Sequence, residues 1–391
     1  MKTLRILSFV PLLLLFLPYS DKDRQFKEQI IGEWKFTRSV DITKKLKDPN
    51  YTVKLASQEY GDRMGFIFYK KGVCENRFGY SVRVYDKTIK ERITHYLGTK
   101  TNYKIENGKI KIFDLSDSTW QNIKIHSISE NKLILQMFDS HEFMELSRAN
   151  YKLNPNEHYG KIIFSSSSCY GTCPISDISI DNTGKMNFSG QAYNTKNGFF
   201  TSKINEIEYL KIEESFKKSN VKNLKNYYSE GGTDQERVSI SFINDDKIIK
   251  TTSVYGYSAP PELFWAYTNL RYYHQNTKLI PLKLTKPTFT NHHRGLRFET
   301  KNQICILEKS EGYFLQTELL EKGKVVNQFF KDKYVIQNWN EKGEKEVIYS
   351  DGRFYKFINK KGIKIIDLGY NFLINNNLIK KFRLKNEDDT F

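Results

Sequence analysis

The close cysteine pair of this chain lies in the stretch Ser165-Ser166-Ser167-Ser168-Cys169-Tyr170-Gly171-Thr172-Cys173-Pro174. Three residues separate the two cysteines, so a disulfide between them requires a sharp turn, and Gly171 supplies the backbone freedom that this turn needs. Pro174 favours an extended conformation before it, and isoleucines alternate with polar residues after it. The stretch therefore predicts a turn that leads into a β-strand.

Three roles are open for Cys169 and Cys173: a structural disulfide, a redox or nucleophilic thiol, and a metal site. A thioredoxin-like pair has two intervening residues and a following helix, and neither feature is present here. The structural disulfide is the favoured interpretation because the N-terminus predicts export to an oxidising compartment.

Residues 1–20 have the pattern of a signal peptide. Basic Lys2 and Arg5 precede an apolar run from Ile6 to Leu17, and polar residues begin at Asp21. The run has 12 residues, fewer than the roughly 20 that cross a bilayer, so no transmembrane anchor is expected. We expect a periplasmic or extracellular protein of the bacterial envelope.

The charge of the chain does not indicate a nucleic-acid partner. The formal net charge is +17, but the basic residues are dispersed rather than gathered in a binding stripe. The partner is left open, as an envelope component or a small apolar ligand.

Residues 26–150 predict an antiparallel β-barrel, because about eight short β-like segments follow one another with turn signals between them. This region resembles the lipocalin-like domains of bacterial envelope proteins. The resemblance rests on Gly32-x-Trp34, on the hairpin of Tyr103-x-Ile105 and 109–112, on Leu133-x-Leu135, and on the closing segment from Phe143 to Arg148. It implies that Trp34 closes one end of the barrel and that Arg148 packs over its ring.

A linker at 151–160 is expected to lead into an α+β domain at 161–284. Two hairpins alternate there with two helices, one beginning near Ser202 and one opened by Pro260-Pro261. This order predicts a sheet with both helices on one face.

The central region resembles domain of unknown function 6438, a bacterial family. The matching positions are Phe164, Cys169-x-Gly171-x-Cys173-Pro174, Gly184, Gly190, Thr233-Asp234 and Ala259-Pro260-Pro261-x-Leu263. The chain departs from the family pattern at Ser176, where an aromatic residue is expected. The family implies a fold but no known activity.

From residue 285 to 391 the sequence predicts a meander of β-hairpins, because turns containing glycine recur between β-like segments. Cys74 and Cys305 lie outside the central region. They are interpreted either as a bridge between domains or as two buried thiols, since sequence does not fix connectivity.

Thr233-Asp234, after two glycines, is the polar candidate site and is interpreted first as a turn. Asp234 with Glu236 as a carboxylate pair is the alternative. His158 and His274 are expected to be surface residues. We find no catalytic motif and expect no cofactor or metal.

The first functional interpretation is therefore an exported binding or structural protein. One alternative is a thiol-redox or hydrolytic envelope enzyme that uses Cys169 or Cys173 with Asp234 or His158. Another is a carrier of a small apolar ligand in the N-terminal barrel. The sequence predicts no oligomeric state.

Overall fold

The computed structural model describes residues 21–41, 63–136, 142–229, 231–289, 295–339, 345–359 and 362–386. In these ranges the chain is mainly β, with an N-terminal closed barrel, a mixed central sheet and a C-terminal antiparallel sheet, which confirms the predicted fold class. The predicted signal peptide, residues 1–20, lies outside the described residues. In the described part of the chain, no helix is both long enough and apolar enough to cross a bilayer.

The N-terminal barrel is antiparallel, and its first strand pairs with both its second and its last. Its strands are β1 (Gly32–Asp41), β2 (Gly65–Phe68), β3 (Val73–Asp86), β4 (Glu91–Glu106), β5 (Lys109–Asp114), β6 (Thr119–Ile128), β7 (Lys132–Gln136) and β8 (Glu142–Arg148). Inward-facing aromatic and aliphatic side chains fill the described interior. The alternation of apolar and polar residues along each strand produces this core.

Helix α1 (Asp21–Gln29) covers one end of the barrel, where Trp34 is fully buried. The Trp34 indole N–H donates to the Ile30 carbonyl at 2.6 Å, and the Arg148 guanidinium lies 4.2 Å from the Trp34 ring centroid. Gly32 has a φ of +123°, and a Cβ there would clash with Arg148 Nη1. Glycine is therefore required at position 32 so that Arg148 can reach the tryptophan.

We expect Arg148→Ala to lower the free energy of unfolding by about 2 kcal/mol, because the guanidinium donates to three backbone carbonyls at this end of the barrel. Those acceptors are Glu130 O at 2.6 Å, Ile31 O at 2.7 Å and Gln29 O at 2.9 Å. Urea unfolding followed by circular dichroism measures the loss. The matched control is Arg38→Ala, which removes an exposed pair with Glu145 and should cost about 0.5 kcal/mol. Equal losses for the two variants would contradict the role given to Arg148.

The central sheet has the strand order β13-β15-β14-β9-β10-β11-β12-β16. It is mixed because β13 pairs in parallel with β15. The bounds are β9 (Lys161–Ser166), β10 (Ile175–Asp181), β11 (Lys185–Ala192), β12 (Gly198–Lys203), β13 (Tyr227–Ser229), β14 (Arg237–Asn244), β15 (Lys247–Tyr255) and β16 (Ile280–Pro281).

Helices α2 (Glu206–Lys217) and α3 (Pro261–Tyr272) contribute to one hydrophobic cluster with the central sheet. Asn205, rather than Ser202, caps α2, because strand β12 continues as far as Lys203. Pro261 occupies the first turn of α3, as predicted, where its missing N–H costs nothing.

The C-terminal sheet has the order β19-β23-β22-β21-β20-β17-β18-β24 and is antiparallel throughout its described pairs. Its strands are β17 (Arg297–Glu299), β18 (Gln303–Ile306), β19 (Lys324–Val326), β20 (Tyr334–Trp339), β21 (Lys345–Ser350), β22 (Phe354–Asn359), β23 (Gly362–Asp367) and β24 (Arg383–Leu384). The region also contains helix α4 (Lys309–Glu321) and the single turn α5 (Phe372–Asn375).

Helix α4 corrects the expectation of a C-terminal region made only of strands. Residues 309–321 are helical, whereas the sequence predicted only strands after residue 285. The helix packs on the central sheet, where Ile163 and Ile243 join the hydrophobic cluster of the C-terminal region. The central sheet is therefore covered on both faces, because Ile162 and Phe164 alternate with Ile163 and belong to the cluster of α2 and α3. The predicted domain boundaries stay a prediction.

Candidate functional site at the disulfide-closed turn

Cys169 and Cys173 form a disulfide between the end of β9 and the start of β10. The sulfur atoms are 2.00 Å apart and the Cα atoms 5.8 Å apart. Gly171 has a φ of +146°, a conformation that glycine adopts readily because it has no Cβ. Tyr170 has 88% of its surface exposed, so the loop presents an aromatic side chain to solvent.

Backbone hydrogen bonds hold this exposed loop on the sheet. The Tyr170 N–H donates to the Asp234 carbonyl at 2.9 Å, and the Ser167 N–H donates to the Arg237 carbonyl at 2.9 Å. In return, the Arg237 N–H donates to Ser167 Oγ at 2.9 Å. The Ser166 hydroxyl donates to the Pro174 carbonyl at 2.7 Å. Both arms of the turn are therefore fixed, and Tyr170 stands on a preorganised backbone.

Thr233 and Asp234 lie against the cysteine turn, as the Tyr170 contact shows. Asp234 is exposed and has a φ of +67°, a conformation typical of turns. Its carboxylate accepts a hydrogen bond from the Thr233 hydroxyl at 3.2 Å. Glu236 does not join it in a carboxylate pair, because Glu236 binds Arg271 on α3 instead, with an N–O distance of 2.6 Å.

Arg271 is a buried cation beside the base of the turn. Its guanidinium lies 5.3 Å from the Phe164 ring centroid and donates to Glu236. Burial disfavours the charged form, but Glu236 and neighbouring tyrosines outweigh that effect and raise the pKa of Arg271. Arg271 therefore stays charged, and its contact with Glu236 fixes the segment that carries Asp234.

His274 is buried, not exposed as the sequence predicted. Its ring stacks on Phe188 with centroids 4.1 Å apart, and Nδ1 lies 2.9 Å from the Arg271 carbonyl. Burial lowers the pKa of His274 to about 4, although the hydrogen bond to Arg271 acts in the opposite direction. The folded protein therefore holds this imidazole neutral.

We expect the protein to lose on the order of 2 to 3 kcal/mol of stability through His274 as the pH falls from 7 to 4.5. The pKa of His274 is lower in the folded chain than in the unfolded chain. At a pH between these two pKa values the unfolded chain binds a proton on His274 and the folded chain does not, so lowering the pH favours unfolding. Urea unfolding of the wild type and of His274→Leu at both pH values measures this. The free energy of unfolding of the wild type should exceed that of His274→Leu by less at pH 4.5 than at pH 7. A constant difference would show that His274 does not titrate in this way.

An ion pair between α4 and the central sheet lies beneath the turn. Lys309 Nζ is 3.2 Å from Asp177 Oδ1 and donates to the Ser166 carbonyl at 2.8 Å. Gln191 Nε2 donates to the other Asp177 oxygen at 2.9 Å. Burial lowers the pKa of Lys309, whereas Asp177 raises it. The turn is thereby tied to the C-terminal part of the chain.

Serine side chains line the sheet face that α4 covers. The Ser310 N–H donates to Ser239 Oγ at 2.9 Å, and the Ser310 and Ser241 hydroxyls are 2.8 Å apart. Short hydroxyl side chains let the first turn of the helix approach the strands closely and satisfy its polar groups. This explains why a serine-rich strand face is fully buried.

The surface beside the turn contains further aromatic and charged groups. Arg237 packs over the Tyr227 ring at 5.1 Å and pairs with Glu308 at 2.6 Å. We call Tyr170, Asp234, Tyr227, Arg237 and Glu308 the turn surface. Each of its tyrosines is exposed, as are Asp234 and Arg237.

His158 is not at this site. It precedes β9, whereas the cysteine turn follows β9, so the strand separates them by about 20 Å. Its Nδ1 lies 3.2 Å from Glu213 on α2. The structure therefore brings Asp234 to the cysteines but leaves His158 at the opposite end of the strand.

Cys74 and Cys305 are separate buried thiols, one in the barrel core and one in the C-terminal core. Burial raises the pKa of each to about 12, so both are poor nucleophiles at neutral pH. Within the described ranges, no three His, Cys, Asp or Glu residues are grouped as a metal site requires.

The sequence did not indicate Tyr227, Arg237, Glu308 or Lys309 as neighbours of the turn. A weak signal existed at Glu308-x-x-Glu311, where the Glu311 carboxylate accepts from the Glu308 N–H at 2.9 Å. Glutamate is not among the preferred N-cap residues, so the Glu308-x-x-Glu311 spacing does not by itself predict the N-terminus of a helix.

Comparisons with known proteins add one family match. No curated protein matches the chain. Among solved structures, the chain was compared with the crystal structure of the Helicobacter pylori beta clamp bound to a DNA ligase peptide. The two are 9% identical over 85% of this chain and 98% of that chain, with a TM-score of 0.15, and a likeness this weak does not indicate a shared fold. Residues 160–274, which include the disulfide-closed turn and helices α2 and α3, match the family described as Domain of unknown function (DUF6438).

Proposed function

We propose that the protein is an exported binding protein of the bacterial envelope and that the turn surface is its recognition element. The observation that carries this proposal is the combination of an 88% exposed Tyr170 with a backbone closed by a disulfide and anchored on both arms. A side chain that stands on a fixed backbone requires less ordering of the loop when it binds. Tyrosine and arginine are also enriched at the energetic centres of protein interfaces. The partner is accordingly another envelope protein.

Export is supported by the basic and apolar pattern of residues 1–17 and by the disulfide, since such bonds persist in oxidising compartments. The location is the periplasm or the cell exterior.

We infer that the N-terminal barrel is lipocalin-like. Helix α1, the buried Trp34 and the Arg148 guanidinium over its ring support this inference. Carriage of an apolar ligand inside the barrel has less support. The described cavity among Phe66, Tyr80, Ile112 and Ile123 holds about 150 Å³, and binding pockets for drug-sized ligands hold roughly 300 to 1,000 Å³.

The test places a photo-crosslinking amino acid at position 170 in the full chain, expressed in its native host. We expect a discrete crosslinked protein from the non-cytoplasmic fraction, and we expect it to disappear when Cys169 and Cys173 are replaced by serine. The matched control carries the crosslinker at Tyr85, an exposed aromatic on β3. The proposal is wrong if position 170 gives no adduct, if both positions give the same adduct, or if the protein stays in the cytoplasm.

A further inference from the structure

The hairpin of β3 and β4 extends beyond the barrel as a two-stranded arm. Strand β3 also pairs with β2, but only at 74–76, and β4 also pairs with β5, but only at 103–106. In between, residues 80–86 and 91–98 pair with each other and with no other described strand. We call residues 80–98 the barrel arm and residues 84–92 its tip. No third described strand lies beside the tip.

The barrel arm is held in a fixed direction by the central region. The Tyr96 hydroxyl donates to Asn269 on α3 at 2.7 Å, and the Tyr96 ring stacks on Tyr272 with centroids 4.9 Å apart. At the tip, the Glu91 carboxylate accepts from the Tyr193 N–H at 3.3 Å. The arm is therefore anchored on one side, and the tip stands in a preformed position.

Apolar side chains are exposed at the tip. The exposed fractions are 48% for Val84, 55% for Tyr85 and 41% for Ile89. Val84 and Tyr85 are successive residues of a strand, so their side chains point to opposite sides of the arm. A flat protein surface contacts only one side of a hairpin, whereas a lipid layer surrounds an inserted tip on both sides. Tyrosine is also enriched where proteins cross the membrane–water interface.

The tip is also basic. Its two acids are engaged with the protein itself, because Asp86 accepts from the Thr88 N–H at 2.8 Å and Glu91 accepts from the Tyr193 N–H. The cations of the tip form no ion pair with a carboxylate in the part of the chain that the structure describes. These exposed cations are Lys87, Lys90 and Arg92. The electrostatic complement of the tip is therefore an anionic surface.

We propose that the tip of the barrel arm binds the surface of a bilayer that contains anionic phospholipid. Val84, Tyr85 and Ile89 enter the interfacial region, and the lysines lie among the phosphate groups. Apolar contact and positive charge together give firmer membrane binding than either gives alone. This proposal does not rest on the function of the turn surface, because the tip belongs to the barrel and its ligand is lipid.

The first test measures cosedimentation of the full chain with vesicles of phosphatidylcholine, with and without about one third phosphatidylglycerol. We expect at least tenfold tighter binding to the anionic vesicles, because each lysine or arginine near such a surface raises the affinity about fivefold. Raising NaCl from about 50 to about 500 mM should reverse most of this gain, because salt screens the attraction. The apolar run of residues 6–17 can itself bind lipid, so a local measurement is needed as well.

An environment-sensitive dye at position 85 reports on the barrel arm alone. The dye is attached to Tyr85→Cys in the native protein, where Cys74 and Cys305 are buried and the other two cysteines are bridged. We expect its emission to shift to the blue and to brighten with anionic vesicles. The matched control carries the dye on Ile249→Cys, an exposed position of β15, and should show no shift.

The charge of the tip is tested by Lys87→Glu with Lys90→Glu, which should weaken the response of the dye at 85 at least tenfold. The matched control is Lys70→Glu with Lys71→Glu, which makes the same charge change in the turn before β3, at the opposite end of that strand. The backbones match as well, since Lys71 has a φ of +68° and Lys90 a φ of +57°. Thermal melts of both variants should match the parent, because the replaced side chains are exposed.

The apolar contact is tested by Val84→Ser with Ile89→Ser, read with the same dye. We expect at least fivefold weaker binding to anionic vesicles, because less apolar surface leaves water. The matched control is Val325→Ser with Ile249→Ser, which changes the same two residue types at exposed strand positions elsewhere and should leave the binding unchanged.

Three results would overturn the proposal. Equal responses to neutral and anionic vesicles would remove the role of the lysines. Equal weakening by the two lysine variants would show a general attraction of the basic chain rather than a site on the arm. A dye at 85 that responds to envelope proteins of the native host but not to vesicles would show that the tip binds a protein instead.

Discussion

Replacing Trp265 by alanine is expected to lower the free energy of unfolding by about 3 to 5 kcal/mol, because this side chain fills the contact between the barrel and helix α3. Trp265 is fully buried. Its indole N–H donates to the Arg63 carbonyl at 2.7 Å, and the Arg77 guanidinium lies 5.0 Å from the ring centroid. A Cβ on Gly65 of β2 would lie 2.6 Å from Trp265 Cζ2. Alanine at 265 therefore leaves a cavity lined by two parts of the chain.

Two variants separate the contributions of the ring and its N–H. Trp265→Phe retains most of the ring and should cost about 1 to 2 kcal/mol, mainly the lost hydrogen bond to Arg63. Trp120→Ala is the matched control, since Trp120 lies on the barrel with 40% of its surface exposed, and it should cost less than about 1 kcal/mol. Urea unfolding measures all three. If Trp265→Ala lowered the free energy of unfolding no more than Trp120→Ala, Trp265 would not stabilise the contact between the barrel and helix α3.

The second large effect concerns Lys309. We expect Lys309→Met to cost about 3 to 5 kcal/mol, because it leaves the fully buried Asp177 carboxylate without its cation. Gln191 continues to donate to that carboxylate, but one amide does not replace a charge. Docking of α4 on the central sheet should weaken in the same variant.

The double variant Lys309→Met with Asp177→Leu tests the cause. Removing both charges removes the unpaired buried carboxylate, so the double variant should recover most of the stability lost by the single one. The control is Lys356→Met, which removes a partly exposed pair with Asp332 at 2.8 Å and should cost at most about 1 kcal/mol. A double variant as unstable as Lys309→Met would rule out the unpaired charge as the cause.

The barrel was predictable because its strands alternate apolar and polar residues and because residues typical of turns separate them. Ile110 and Ile112 alternate with lysines on β5, and Asn107-Gly108 forms the turn before it with positive φ at both residues. Strand β4 runs without a break through Gly98, because Gly98 pairs with Tyr80 of β3 rather than ending the strand. Local periodicity identifies strands better than it identifies where they end.

Helix α4 was not predictable from its pattern. Lys309, Ser310 and Glu311 read as a solvated segment, yet each is buried against the central sheet or the C-terminal core. Their partners, among them Asp177, Ser239 and Lys381, are distant in sequence. A polar helix face that pairs with a polar sheet face gives no hydrophobic period to detect.

The candidate site was only partly predictable, because some of its residues are neighbours in sequence and others are brought together by strand pairing. Cys169, Gly171 and Cys173 form a local motif, and their turn was expected. Tyr227 and Arg237 reach the turn surface through strand pairing across the sheet, which sequence spacing alone does not specify. His274 was interpreted as a surface residue because a single histidine carries no burial signal of its own.

A recognition role for Tyr170 requires a turn that stays closed in the envelope. Thiol labelling and peptide mapping of protein recovered from its native compartment test this directly. We expect Cys169 and Cys173 in one bridge that mild reductant leaves intact, with Cys74 and Cys305 labelled only after unfolding. Ready labelling of Cys169 or Cys173 in the native protein, or cycling of the pair at the potential of cellular thiol couples, would contradict a rigid recognition element and indicate thiol chemistry instead.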